Sequence, residues 1–174
     1  MNQLKRICRE GVVSEVIAER HSCKVTFPDR NNMVSAELPV LTLFAYNDKS
    51  YALPEVGSRV VVLSASNDLQ SGGGYVIGSL YTNENKPVEN DESIYKVETA
   101  DGFSMSYDKT SKEFELKFFD GSTIKHTEDG DLEIDIKGNV FMNVSKKLEV
   151  EVKEDINAES SGDINMTGSN IRLN

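Results

Sequence analysis

An apolar residue returns at every eighth position through the second half of this chain: Leu116, Ile124, Leu132, Val140, Leu148, Ile156 and Ile164. Within successive octads the apolar residues alternate with polar ones, as Leu132/Ile134/Ile136, Val140/Met142/Val144 and Leu148/Val150/Val152. Between them stand Glu133, Asp135, Asn143, Ser145, Glu149 and Glu151. This is strand periodicity, one face apolar and the other solvated. Gly130, Gly138 and Gly162 share a second phase of the ladder, with Lys146 and Glu154 on its intermediate rungs, and mark turns at octad ends. A strand of about five residues with three apolar side chains cannot bury them by itself. A single-chain β-helix needs longer coils, whereas three chains wound about one axis can each supply one face. That solution makes Leu132, Ile134, Ile136, Val140, Met142, Val144, Leu148, Val150, Val152, Ile156 and Ile164 the core of a homotrimer. Phe141 breaks the alternation and points outward in this register, and the last repeat slips by one residue at Ile171 and Leu173.

Charge divides the chain in the same place. Of 174 residues, 1–90 hold nine Lys/Arg against ten Asp/Glu, and 91–174 hold ten against nineteen, which together give the net charge of -10. A general nucleic-acid binder needs a basic face to displace phosphate counterions, so a nucleic-acid partner is disfavoured. A hydrophobic content of 38% is low for one compact core and too high for disorder, which suits a chain whose second core forms between copies. No window approaches the length of a membrane span, and no apolar run follows the early positive charges as in a signal peptide. Cys8 and Cys23, without a CxxC neighbour or a histidine at metal spacing, read as reduced thiols.

The first half predicts short strands: Gly11–Val16, Cys23–Phe27, Val34–Leu38, Leu41–Phe44, Arg59–Leu63 and Tyr75–Tyr81. Five or six strands in this span point to a closed barrel, with an OB-fold as its form. Phe27, Phe44, Tyr51 and Tyr75 are expected in the core, and Ser71-Gly72-Gly73-Gly74 at a hairpin tip. The fold class is therefore all-β: a short helix or arm at 1–10, a barrel at 11–82, a polar linker at 83–93 and a repeat at 94–174. Within the repeat, 94–119 is less periodic and reads as a transition, with turns at Asp101-Gly102 and Asp120-Gly121.

Three motifs carry a resemblance. A Val-x-Phe-Pro-Asp run, Val25 to Asp29, leads to a serine-containing strand ending Leu-Pro-Val, Ser35 to Val40. A Pro-Glu-Val-Gly turn, Pro54 to Gly57, precedes an apolar strand, and a Val-x-Gly-Ser-x-Tyr strand, Val76 to Tyr81, leaves the barrel. In this order they resemble the OB domain of phage baseplate central spike proteins, the baseplate assembly protein V family, and of the related valine-glycine-repeat spikes of type VI secretion. Glu37 departs from the pattern, since the family carries an aromatic before Leu-Pro-Val. The octads resemble the triple-stranded β-helix of such spikes. The resemblance implies a homotrimeric spike of a phage tail, a phage-tail-like bacteriocin or a related contractile particle. It implies synthesis in the bacterial cytoplasm and assembly into a baseplate. The barrels would sit on a baseplate hub protein, an acidic needle of roughly 40–50 Å, at ~4.8 Å per strand, would face the target envelope, and the mechanism would be mechanical piercing. A separate tip protein capping Asn174 is left open.

The search for chemistry is mostly negative. His21 and His126 are a hundred residues apart; His126 shares the octad phase of Ile134 and so reads as inward, where three copies could meet an anion, a water or a metal, though a structural histidine is the plainer reading. Some relatives end in an iron-binding His-x-His tip, but residues 160–174 contain no histidine. Asp129/Asp131 and Glu149/Glu151 fall on exposed strand faces, without the cleft that acid–base work needs. No nucleophile motif is present, so no catalytic residue, metal or cofactor is expected. The rival readings are an OB-fold module for single-stranded nucleic acid or sugar, a trimeric adhesin fibre, and an envelope-degrading enzyme. The first needs a basic groove with exposed aromatics.

Overall fold

A computed structural model of the chain describes residues 7–64 and 73–171. They form two antiparallel sheets. The first contains β1 (Cys8–Ile17), β2 (Ser22–Phe27), β3 (Met33–Val34), β4 (Leu38–Pro39), β5 (Arg59–Ser64) and β6 (Gly74–Ser79). Ten-residue β1 is central and pairs with both β2 and β5. It does so because a bulge between Val13 and Glu15 bends it, with the Ser14 hydroxyl donating to the Lys24 carbonyl at 3.2 Å. β5 continues to β6, and a parallel bridge from Val40 to Val76, with Leu41 N–H donating to the Val76 carbonyl at 2.8 Å, closes the ring onto the strand after β4. A five-strand ring joined by a parallel contact between its third and last members is the OB arrangement, with β3 and β4 together serving as the third.

The core holds Val13, Cys23, Val25, Phe27, Leu38, Val60, Val62 and Val76, with Val16, Met33 and Val40 packed against it. Ser35 explains how β3 and β4 act as one strand. In the gap between them its hydroxyl accepts the Val25 N–H at 2.9 Å, and its own N–H donates to the Val25 carbonyl at 2.8 Å. A buried ladder position is thus satisfied where regular pairing lapses. Left-handed backbone at His21, Asn31 and Asn32 turns the chain after short 3-10 segments, two of the three being the asparagines that tolerate it best.

Several expectations are corrected. Pairing begins at Cys8, so residues 8–10 are strand rather than helix or arm; residues 1–6 lie outside the described residues, as do residues 71 and 72 of the Ser71–Gly74 tip. Leu41–Phe44 is not a strand but the start of a loop whose apolar side chains are exposed, and Phe44, Tyr51 and Tyr75 are 58%, 68% and 45% exposed rather than core. Phe27 alone of the four aromatics is buried.

The second sheet is a meander of β7 (Ile94–Glu98), β8 (Ser104–Asp108), β9 (Phe114–Lys117), β10 (Thr123–His126) and β11 (Leu132–Asp135), each strand paired with the next. Gly102, Gly121 and Gly130 adopt φ of +94°, +84° and +92° in three of its turns. At each, the glycine N–H returns to a residue three back, Thr99, Phe118 or Thr127, and that residue donates to the one after the glycine. The Asp-Gly turns are therefore where the sequence places them. The eight-residue spacing is not kept here: Leu116 lies opposite Ile124, but Ile124 lies opposite Ile134 rather than Leu132. Antiparallel hairpins here take nine or ten residues per strand, so the eight-residue spacing does not set the register of the meander. Beyond Asp135 no strand is present among the described residues.

Candidate functional site

The meander sorts its residues by face. On one side two cross-strand ladders run the full width: Val97–Met105–Leu116–Ile124–Ile134, and Tyr95–Tyr107–Phe114–His126–Leu132. No carboxylate, lysine or arginine belongs to either ladder. The opposite side carries Lys96, Ser106, Glu115, Lys125 and Glu133 in one row. Lys96 is held to Glu98 at 2.6 Å and Lys125 to Glu113 at 2.9 Å. Those carboxylates raise both ammonium groups above the ordinary lysine value, first through the hydrogen bond and then through charge. This polar side lines a shallow trough between Glu89 and Lys125. Two ion pairs among further charges open to water are the ordinary state of a solvated face.

The ladders are bare on their outer strands, while Met105, Phe114, Leu116 and Ile124 in the middle are half-buried. Tyr95, Leu132 and Ile134 are 60–65% exposed. The octads beyond them are bare too: Val140, Met142, Val144, Leu148, Val150, Val152, Ile156 and Ile164 are all exposed, and only Ile136 is half-buried. Phe141, expected to point away from them, is also exposed. One link holds the start of this stretch, the Ser122 hydroxyl, which accepts the Lys137 N–H at 3.0 Å while donating to Asp120 at 3.0 Å. The turn aspartates are structural. Asp120 is drawn below the usual carboxylate range by the Ser122 backbone N–H, Asp108 by that of Thr110, Asp91 by that of Ser93, and Asp101 by the Thr99 hydroxyl. Among the described residues no group of three or more His, Cys, Asp or Glu is arranged to hold a metal.

The barrel presents a second apolar surface, which sequence reasoning missed. Leu41, Leu43, Phe44, Tyr46 and Tyr51 stand on the 41–52 loop, and Leu41, Leu43, Tyr51 and Ala52 share a groove with Ile77 of β6. Ser50 shapes the loop. Its hydroxyl lies 2.5 Å from that of Thr42 and accepts the N–H groups of Leu43 and Phe44 at 3.1 and 3.2 Å, and its N–H donates to the Phe44 carbonyl at 3.0 Å. Residues 38–47 and 73–83 contain no charged side chain. Lys49 is the one cation of the 41–52 loop and adjoins Asp48, so the exposed aromatics lack the basic groove that a single-stranded nucleic acid requires.

At another edge, Glu37 occupies the family's aromatic position and does something different there. Its carboxylate takes Arg20 Nε and the Ser22 hydroxyl at 2.5 Å each, with a further Arg20 nitrogen at 2.5 Å. Arg20 first, then Ser22, hold Glu37 below the ordinary glutamate value, and Glu37 raises Arg20 in return. His21 beside them has a buried Nε2 without a partner and a ring 5.2 Å from that of Tyr51. Both cysteines are free thiols, and burial pushes Cys23 above its usual value.

Comparison with known proteins bears on the barrel alone. No curated protein matches the chain. The family described as the type VI secretion system/phage-baseplate injector OB domain matches residues 9–81, the span from the start of β1 to the strand exit beyond β6. By fold, motif order and this match, residues 9–81 form an OB barrel similar to the injector OB domain of phage baseplates and type VI secretion systems.

Proposed function

We propose that the chain is the central spike of a contractile injection particle, a homotrimer whose barrels dock on a baseplate hub and whose C-terminal octads form a piercing needle. The observation that carries this reading is the uncovered apolar series that runs from the meander into the octads. Each Val, Leu or Ile in it gains ~1.5–3 kcal/mol on leaving water. A single chain offers nothing to cover it, whereas two further copies offer the same face in the same order. Leu132 and Ile134 belong both to the meander ladders and to the octad core, so one seam would serve both segments. The paired charges of the opposite face would then lie outside.

The role is mechanical and not catalytic on this reading. Lys96 and Lys125 are engaged with carboxylates, Asp120, Asp108, Asp91 and Asp101 with their own turns, and the injector OB domain is a structural baseplate component. Light scattering on the purified chain tests it. A mass near three times 19.3 kDa is expected, and a stable monomer would overturn it. Turnover in a muramidase or peptidase assay would overturn the non-enzymatic part separately.

A further inference from the structure

The apolar face of the meander contains one basic side chain, His126. It lies opposite Phe114 on β9 and Leu132 on β11, with Ile124 beside it on its own strand and Leu116, Ile134 and Tyr107 farther along the same face. The charged residues of these strands, Glu115, Lys117, Lys125, Glu133 and Asp135, alternate to the other face, where Glu113 is also engaged with Lys125. Glu128, Asp129 and Asp131 lie in and just beyond the turn after β10. The other titratable groups on the His126 face are the phenols of Tyr95 and Tyr107. No hydrogen bond or ion pair engages the His126 side chain among the described residues.

In the homotrimer proposed for this chain, two further copies bring this same face, and nothing on it can neutralise a cation. Resting on that trimer, we propose that His126 makes the seam between copies acid-labile. The neutral imidazole is accommodated among Phe114, Leu116 and Leu132 as a small aromatic. The protonated ring, a full charge with no partner in an apolar contact, favours the separated chains, where water can reach it. Burial against apolar side chains disfavours a charged imidazole relative to one in water. Separated chains therefore bind more protons than the assembly in mild acid, and assembly weakens as pH falls. The net charge acts in the opposite sense. A chain of -10 approaches neutrality as pH drops toward its isoelectric point of 4.7, which lessens repulsion between copies. Acid-lability is thus a signature that bulk charge cannot imitate.

The test is the assembly state of the full chain by light scattering from pH 8 to pH 5 at fixed salt, beside His126→Leu and His126→Gln. The wild type is expected to be trimeric at pH 8. Its association constant should fall by up to roughly a thousandfold per pH unit below about pH 6, because three protons are taken up on dissociation. Both variants should remain trimeric at pH 5. A wild-type trimer that persists at pH 5, or variants that dissociate over the same range as the wild type, would overturn the role of His126 while leaving the trimer standing. Monomers in all three proteins at pH 8 would overturn the trimer and His126's role together.

Discussion

Gly11 sits where β1 runs against β2, and the packing leaves no room for a side chain. A Cβ there would collide with Cγ1 of Val25 and lie 2.8 Å from the Thr26 carbonyl oxygen and 3.1 Å from the Phe27 ring. Two of those neighbours belong to the buried core, so they have little freedom to withdraw. Gly11→Ala is expected to cost about 1–3 kcal/mol, read as a lower urea midpoint with an unchanged slope. Glu37 makes a pH-dependent contribution at the same scale. Its carboxyl lies below the ordinary value, so the stabilisation is complete above the unfolded-chain value near 4.3 and is lost as pH falls through the lower folded one. Glu37→Gln should therefore be less stable than the wild type at pH 7, and the two urea-unfolding curves should converge in acid below about pH 4. That Glu37 breaks the family pattern was legible in the sequence. Its partner Arg20, seventeen residues earlier, was not, because nothing local joins them.

At the scale of elements, turns were more legible than strands. Asp101-Gly102 and Asp120-Gly121 turn where the sequence says, because a left-handed backbone makes a local demand that glycine meets at little cost. The Leu41–Phe44 segment misled because apolarity reports affinity for a partner, not which partner; Ser50 folds these residues back through contacts six to eight positions away, and they face outward. Octad spacing overreached from Leu116 to Leu132 for a related reason. Alternation of period two survives in a hairpin as well as in a wound strand, and only the strand-to-strand register separates them. Beyond the meander the register assigned to the octads has a direct check. Val150→Asp would put three unpaired charges into the proposed seam, each costing several kcal/mol, and should leave a monomer at micromolar concentration in light scattering. Trimers from that variant would show that Val150 faces outward.

For the molecule as a whole, the legible part was the barrel and its motifs. These motifs fall on positions that close local geometry: Ser35 satisfies Val25, and Gly57 turns the chain into β5 with φ of +92°. Such requirements are written in single residues and survive in any sequence that folds this way. In the proposed trimer, what covers the second half would come from other chains, and sequence carries that only as an excess of apolar residues exposed in the single chain. The same reasoning explains the uneven charge. Nineteen acidic residues fall after residue 90, where the solvated face of a repeat has room for them.

Among the described residues, the ring of barrel strands is joined at its last edge by one bridge, Val40 to Val76, while its other long seams are runs of five paired residues. Opening is cheapest where fewest hydrogen bonds must break together, so this edge is the barrel's latch. The loop bearing Leu43 and Tyr46 springs directly from it. A pull exerted through those side chains would reach this edge before the core strands.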